Sequence, residues 1–278
     1  MARSRRQVLF DSGIICLFAC ITVPRWGTWL EDRINLRLTQ KMPSWAHPLG
    51  TDHLGRDLLV RLARAIADAA LPLWLTVLTG VSIGTLLALM LVAKAHTKFG
   101  KILRHGVNLV ASIVGAIPLT LITFALAVVL EEADLKAVLL ALGVSVILQS
   151  YLQLANHIEE SRRLGYWTAH EALGGTLLGR IWRYGIRSAW TQELALSLGY
   201  KLRAAVIVEA TLSYLGFGIQ EPEASFGNIL AAHFAASLHG KWWVMAATLS
   251  VLMVTAAAPQ SLIRLASTRQ KPAPTSQR

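Results

Sequence analysis

Charge is scarce in this sequence: 15% of its 278 residues are Asp, Glu, Lys or Arg, where a soluble domain carries about 25%. Cysteine is scarcer still, at two. Cys16 and Cys20 lie four apart in an apolar stretch, hence on one helical face, which argues against a structural disulfide and leaves the redox compartment unread. The eight histidines lack metal-ligand spacing: His47 and His53 are six apart, and His170-Glu171 has no second His one turn on. Together these absences exclude a zinc-protease helix and a disulfide scaffold. A nucleotide-binding loop is also missing. Gly174, Gly179 and Arg180 imitate the spacing GxxxxGK[ST], but Arg stands for Lys and Ile181 for the hydroxyl residue, so neither phosphate nor magnesium is provided for.

What the chain has instead is apolar length. It is 54% hydrophobic with a mean hydropathy of +0.49. Stretches near 8–24, 70–93, 106–130, 136–155, 188–209 and 242–264 approach the roughly 20 residues that span a bilayer. The first carries Asp11, and the fifth Glu193, Lys201 and Arg203. The expected fold class is therefore all-α, a polytopic membrane protein with six transmembrane helices. Residues 1–69 would form a first span and a long connector, 70–265 the membrane core with a cytoplasmic loop at 162–187, and 266–278 a disordered tail. Five further spans favour an uncleaved anchor over a signal peptide for MARSRR and the apolar run behind it.

The formal charge of +11 does not require nucleic acid. With the N-terminus inside, sixteen of the 27 basic residues fall in cytoplasmic segments, as the positive-inside bias predicts. The exception is the connector 25–69, with seven basic residues; long loops translocate despite charge. Within it, LLVRLARAIADAAL at 58–71 has apolar residues at helical spacing and reads as an amphipathic helix on the membrane surface. Tryptophans at 26, 29, 74, 167, 190, 242 and 243 suit an aromatic belt. Pro118 predicts a kink in the third span.

Three stretches carry a resemblance. HPLGTDHLGRDLLVRL at 47–62 and VEATLSYLGFGIQEPEASFGNIL at 208–230 resemble the signatures of the permease subunits of peptide/nickel-class ABC importers. Residues 165–187 look like a diverged version of the loop that such permeases insert into their ATPases. Thr168, Ala169, His170 and Gly174, preceded by Leu173, occupy the pattern's positions. Thr replaces its acidic residue, His its second small residue, and Arg187 a proline at its end. The resemblance implies a type I permease fold in a bacterial inner membrane, multi-pass, with a cytoplasmic N-terminus. It also implies a homologous second permease, two cytoplasmic ATPases and an extracytoplasmic substrate-binding protein as partners, besides membrane lipid. ATP and Mg would then belong to the ATPases, with no cofactor and no catalytic residue in this chain, which is not an enzyme. Cargo in such a family spans peptides, nickel and metal-chelator complexes (metallophore uptake).

The residues assign candidate roles. Tyr166, Trp167, Ala169, His170, Glu171, Leu173 and Gly174 would couple to the ATPase, since small residues permit close backbone approach and aromatics anchor in grooves; the alternative is an ordinary interfacial helix. Lys201 and Arg203 are ionisable at membrane depth, which marks functional candidates. At least one is expected to be a path contact favouring an anionic cargo, such as a carboxylate-rich metal chelator rather than a plain peptide; the alternative is a structural ion pair with Glu193, Asp11 or a partner subunit. Glu209 is a path residue or an interface charge. Gly216 and Gly218, with Pro222 and Gly227, break an apolar run and suggest an outer gate, because irregular backbone at that depth must face protein or water. Thr51, Asp52, Gly55, Arg56 and Asp57 read as structural, with Asp52 capping the helix that follows and Arg56 pairing with either neighbouring acid. Two other classes fit the composition: an autonomous secondary transporter or channel relaying ions through Asp11, Glu193, Lys201 and Arg203, and a membrane scaffold recruiting a partner through its basic loop.

Overall fold

A computed structural model describes residues 5–22, 34–94, 97–130, 135–163, 169–170, 172–176, 179 and 190–268. Helices dominate: α1 (Arg5–Thr22), α2 (Leu58–Ala65), α3 (Leu71–Ala93), α4 (Lys98–Ala116), α5 (Leu119–Leu130), α6 (Leu135–Arg162), α7 (Trp190–Tyr214), α8 (Phe226–Leu238) and α9 (Trp243–Thr268). The expected all-α polytopic architecture is what forms, and no strand occurs among the described residues.

Length and composition qualify three helices to cross a bilayer by themselves: 58–93, Leu135–Arg162 and Trp243–Leu265. The third expected span is broken. α4 and α5 meet at 96°, because Ile117 before Pro118 is forced into extended backbone (φ −90°, ψ 131°), as residues preceding proline are. α1 and α8 are apolar but short, and α7 carries Glu193, Lys201, Arg203 and Glu209 in 25 residues. The tally of six thus rests on α1, on the bent pair and on α7. α9 continues to Thr268, three residues into the expected tail; the remainder lies outside the described residues.

α3 and α6 form the most intimate pair. Gly80 and Gly84 lie on the crossing, where a side chain at Gly84 would overlap the Ile147 carbonyl; small residues four apart let backbones meet this way without a solvent-driven hydrophobic force. One core joins α3, α6 and α7 through Leu73, Val77, Leu142, Leu202 and Leu212. A second joins α2, α7, α8 and α9 through Leu58, Leu62, Val206, Phe226 and Val244. α1 lies along α9, where the 97%-enclosed Asp11 (3% exposed) accepts a hydrogen bond from Ser261 Oγ at 3.2 Å.

One expectation is corrected. Residues 58–71 do not lie on the membrane surface: Leu58, Val60, Arg61, Leu62, Ala63 and Ala65 are all buried, and a π turn at Ile66–Ala70 leads directly into α3. The polar stripe that suggested a water-facing side holds Arg61, which is enclosed because it has ion-pair partners inside the protein.

Candidate functional site

The two signatures at 47–62 and 208–230 are folded against each other. α7 ends at Gly216, whose φ of +87° is open to glycine; the Phe217 N–H then returns to the Leu212 carbonyl at 2.8 Å, a Schellman-type stop. The chain reverses and α8 starts at Ser225, where Ser225 and Asn228 exchange side-chain and backbone bonds in a capping box, satisfying the first free N–H groups of the helix. Asn228 Nδ2 also donates to the Ile219 and Glu223 carbonyls. At Gly227 a side chain would collide with the Ala210 carbonyl, the Tyr214 nitrogen and Ser213, so α7 and α8 cross backbone against backbone. Gly218 is closed in similarly by Ser213. The candidate gate glycines therefore sit in a hydrogen-bonded elbow.

Ions fasten the connector to that elbow. Asp52 Oδ1 accepts the backbone N–H groups of Leu54 and Arg56 at 2.9 and 2.8 Å, and Oδ2 takes Arg56 Nε at 2.6 Å. Arg56 and Arg61 converge on one oxygen of Glu221, at 3.0 and 3.1 Å, and Arg61 also donates to the Pro222 carbonyl at 3.0 Å. Burial by itself would lower the Arg56 pKa, yet the Asp52 and Glu221 carboxylates hold it above its ordinary value. The helix cap falls to Asp57 rather than Asp52: Asp57 Oδ1 accepts from Leu59 N–H at 2.8 Å and Oδ2 meets His47 Nδ1 at 2.8 Å. Asp52 instead closes the turn one step earlier.

A histidine completes the joint. His233 of α8 is buried at 1% exposure. Its Nε2 accepts the His53 backbone N–H at 3.0 Å, leaving Nδ1–H to donate to the Ile229 carbonyl at 2.8 Å. Burial depresses its pKa, as an imidazole that must keep one lone pair requires. Reading the sequence passed over both His233 and Glu221. Helical spacing puts His233 four residues after Ile229, but a partner 180 residues away in the chain leaves no local signal.

The candidate path residues separate. Glu209 is completely buried and accepts from Ser213 Oγ at 2.6 Å; the same Oγ takes the Ile219 N–H at 2.9 Å, so Glu209 orients the hydroxyl that holds the elbow. Arg203 lies over the Tyr200 ring at 5.4 Å, a cation–π contact. Lys201 points across to α6, giving hydrogen bonds to Ser150 Oγ at 2.9 Å and Gln153 Oε1 at 3.3 Å, and Ser197 Oγ donates to the same Gln153 oxygen at 2.7 Å. Among the described residues Lys201 meets no carboxylate; Asp11 is at the α1–α9 contact instead. The result is a half-buried polar seam between α6 and α7. Elsewhere, α4, α5 and α6 frame an open apolar groove of about 630 Å³ lined by Ile117, Leu121, Val129, Leu140 and Val144.

Of the coupling candidates, Tyr166, Trp167 and Glu171 lie outside the described residues, as do Thr168, Trp182 and Arg187. Leu173 is 85% exposed. Gly174 has φ +77° with open space where a side chain would project, while Gly175 packs against the His170 ring.

No family model matches the chain. Individual proteins do. A Brucella suis biovar 1 protein whose name describes a peptide permease is 27% identical over 244 residues, 84% of this chain and 77% of its own. A second from that organism, named for a peptide transport system permease, is 26% identical over 262 residues, 91% and 85% of the two chains. The permease DdpC of Escherichia coli K12, named for D,D-dipeptide transport, is 27% identical over 244 residues, 87% and 79%. The resemblance read from the two signatures thus extends along most of the chain, to permease subunits rather than to enzymes.

Proposed function

We propose that this chain is one of two permease halves of an ATP-driven importer for small peptides in a bacterial inner membrane. The observation that carries the proposal is similarity over 84–91% of the chain to peptide-transport permeases, in a sequence without a phosphate-binding loop of its own. Energy then enters from outside. Two cytoplasmic ATPases, which hold the ATP and Mg, grip the segment 165–187, and their closure tilts the spans so that the path opens toward an extracytoplasmic binding protein. The exposed Leu173 and the unobstructed, positive-φ Gly174 suit a short helix end presented to a groove.

In this reading the path runs past the α6–α7 seam. Lys201 is a cation held by neutral oxygens, which favours an anionic group arriving from elsewhere, such as the carboxylate of a peptide. Arg203 is a lesser candidate because its guanidinium is already stacked, and Glu209 is withdrawn from the path by burial. The outer gate is the α7–α8 elbow moving as one body with the connector.

Two experiments test this. Gly174→Asp should leave membrane insertion intact and abolish peptide uptake; normal uptake would remove the docking role of that position. Purification of the tagged chain from gently solubilised native membranes should recover a homologous permease and ATPases with phosphate-binding loops. Recovery of the chain alone, in several detergents, would favour an autonomous transporter working through its membrane-embedded charges.

A further inference from the structure

The connector has more basic residues than an extracytoplasmic segment is expected to hold, and its structure sorts them. Arg56 and Arg61 are consumed by internal ion pairs. Arg37 and Lys41 are exposed, and they belong to a stretch, 34–46, with an unusual combination of order and apolar exposure. Its backbone is tied down: Asn35 N–H bonds to the Leu54 carbonyl at 3.1 Å, Gln40 N–H to the Asp52 carbonyl at 2.9 Å, and the Lys41 carbonyl receives Thr51 N–H at 3.1 Å. Lys41 N–H adds a bond to Thr51 Oγ at 2.8 Å. Yet Ile34, Leu36, Met42 and Trp45 project outward, 62, 70, 67 and 105% exposed. Held backbone with large apolar side chains turned out of the core marks a surface made for contact.

Position selects what covers it. The stretch is joined to the membrane entry of α9: Lys241 bonds to Gln40, the neighbouring Trp242 is 66% exposed, and the Trp243 indole packs against Gly50. Apolar side chains interleaved with cations, continuous with the first turn of a span, complement the glycerol and phosphate layer of a bilayer. We infer that residues 34–46 form an apron that lies on the membrane surface, with Met42 and Trp45 inserted into it and Arg37 and Lys41 on lipid phosphates. The surface-lying role that helical spacing assigned to 58–71 belongs to this stretch. The inference depends on the chain spanning a membrane, not on its cargo or its ATPases.

The test uses the complex purified from native membranes and reconstituted into lipid nanodiscs. Cys16 and Cys20 are replaced by Ser, and a nitroxide is attached at Met42→Cys, Trp45→Cys or, as a water reference, Glu223→Cys on the exposed elbow. Relative collision rates with oxygen and with a water-soluble nickel chelate give the depth of each label. Labels at 42 and 45 are expected about 5–10 Å below the phosphates, with the label at 223 in water. Water-like readings at 42 and 45 would overturn the apron, and so would shielding from both reagents, which means that protein covers the surface. In anionic discs, Arg37→Glu combined with Lys41→Glu should shift both labels outward; an unchanged depth would overturn the phosphate contacts.

Discussion

At the α7–α8 elbow, the enclosed charges Asp52, Arg56 and Arg61 are answered, with Glu221, by charges of opposite sign, whereas the cation at Lys201 is answered by a hydroxyl and an amide. The two regions differ in what a charge is for. Removing one partner from an enclosed ion pair strands the other, so the elbow's charges lock a shape. A cation that has only neutral partners among the described residues carries its desolvation cost in the empty protein, and under the proposed function an anionic cargo would offset it. The same substitution, charge to neutral, should act in opposite directions in the two places.

The largest effect is expected at Arg61, 1% exposed. Arg61→Ala leaves Glu221 to Arg56, removes the donor to the Pro222 carbonyl and empties a buried position, and should cost about 3 kcal/mol, read as loss of monodisperse protein and a lower melting temperature in detergent. Pairing Arg61→Met with Glu221→Gln should recover part of that loss, and a double variant as damaged as the single one would show that the ion pair is not the cause. Next comes Gly227→Val. The added side chain must displace backbone at Ala210 and Tyr214, with about 1–3 kcal/mol lost, and Gly216→Ala, where there is open space and only the strain of φ +87° opposes it, at about 1 kcal/mol, should do less harm.

Lys201→Met reverses the sign. It removes a cation that meets no carboxylate among the described residues, for which the translocon scale sets a ceiling of about 3 kcal/mol, and a gain nearer 1 kcal/mol is expected in this half-buried position. Transport of a dipeptide should fall while its advantage over the C-terminal amide shrinks. A variant that is destabilised and transports normally would put Lys201 in the same class as the elbow. The smallest effect concerns pH. The folded pKa of His233 lies below its ordinary value, so the unfolded chain takes up the proton first. Stability is then flat above a pH of about 6.5 and falls as the pH drops through and below it. Melting temperatures across that range, compared with His233→Asn, should show the acid slope only in the parent.

Much of this was legible in advance for stated reasons. Apolar length reveals spans wherever a helix is long and apolar by itself, as in α3 and α9. Pro118 predicted a kink, and the 96° break lies at the extended Ile117 that precedes it. The elbow was visible as glycines and a proline in an apolar run. The partners were not, because Arg61 and Glu221 are 160 residues apart and helical periodicity reports which face is polar without saying whether the polar face meets water or another charge. The mistaken surface role of 58–71 has that origin. Lys201 stood out as a charge at depth, but its answering groups, Ser150 and Gln153, look like ordinary polar residues in α6.

The bond between Asp11 and Ser261 joins residues 250 apart, in the first and the last of the described helices. Synthesis runs from one to the other, so α1 enters the membrane long before α9 exists to cover its carboxylate, a wait that a contact of such separation imposes. During that interval the carboxyl has neither its Ser261 donor nor the cover of α9, which at membrane depth is costly. The first helix is thus completed only by the last.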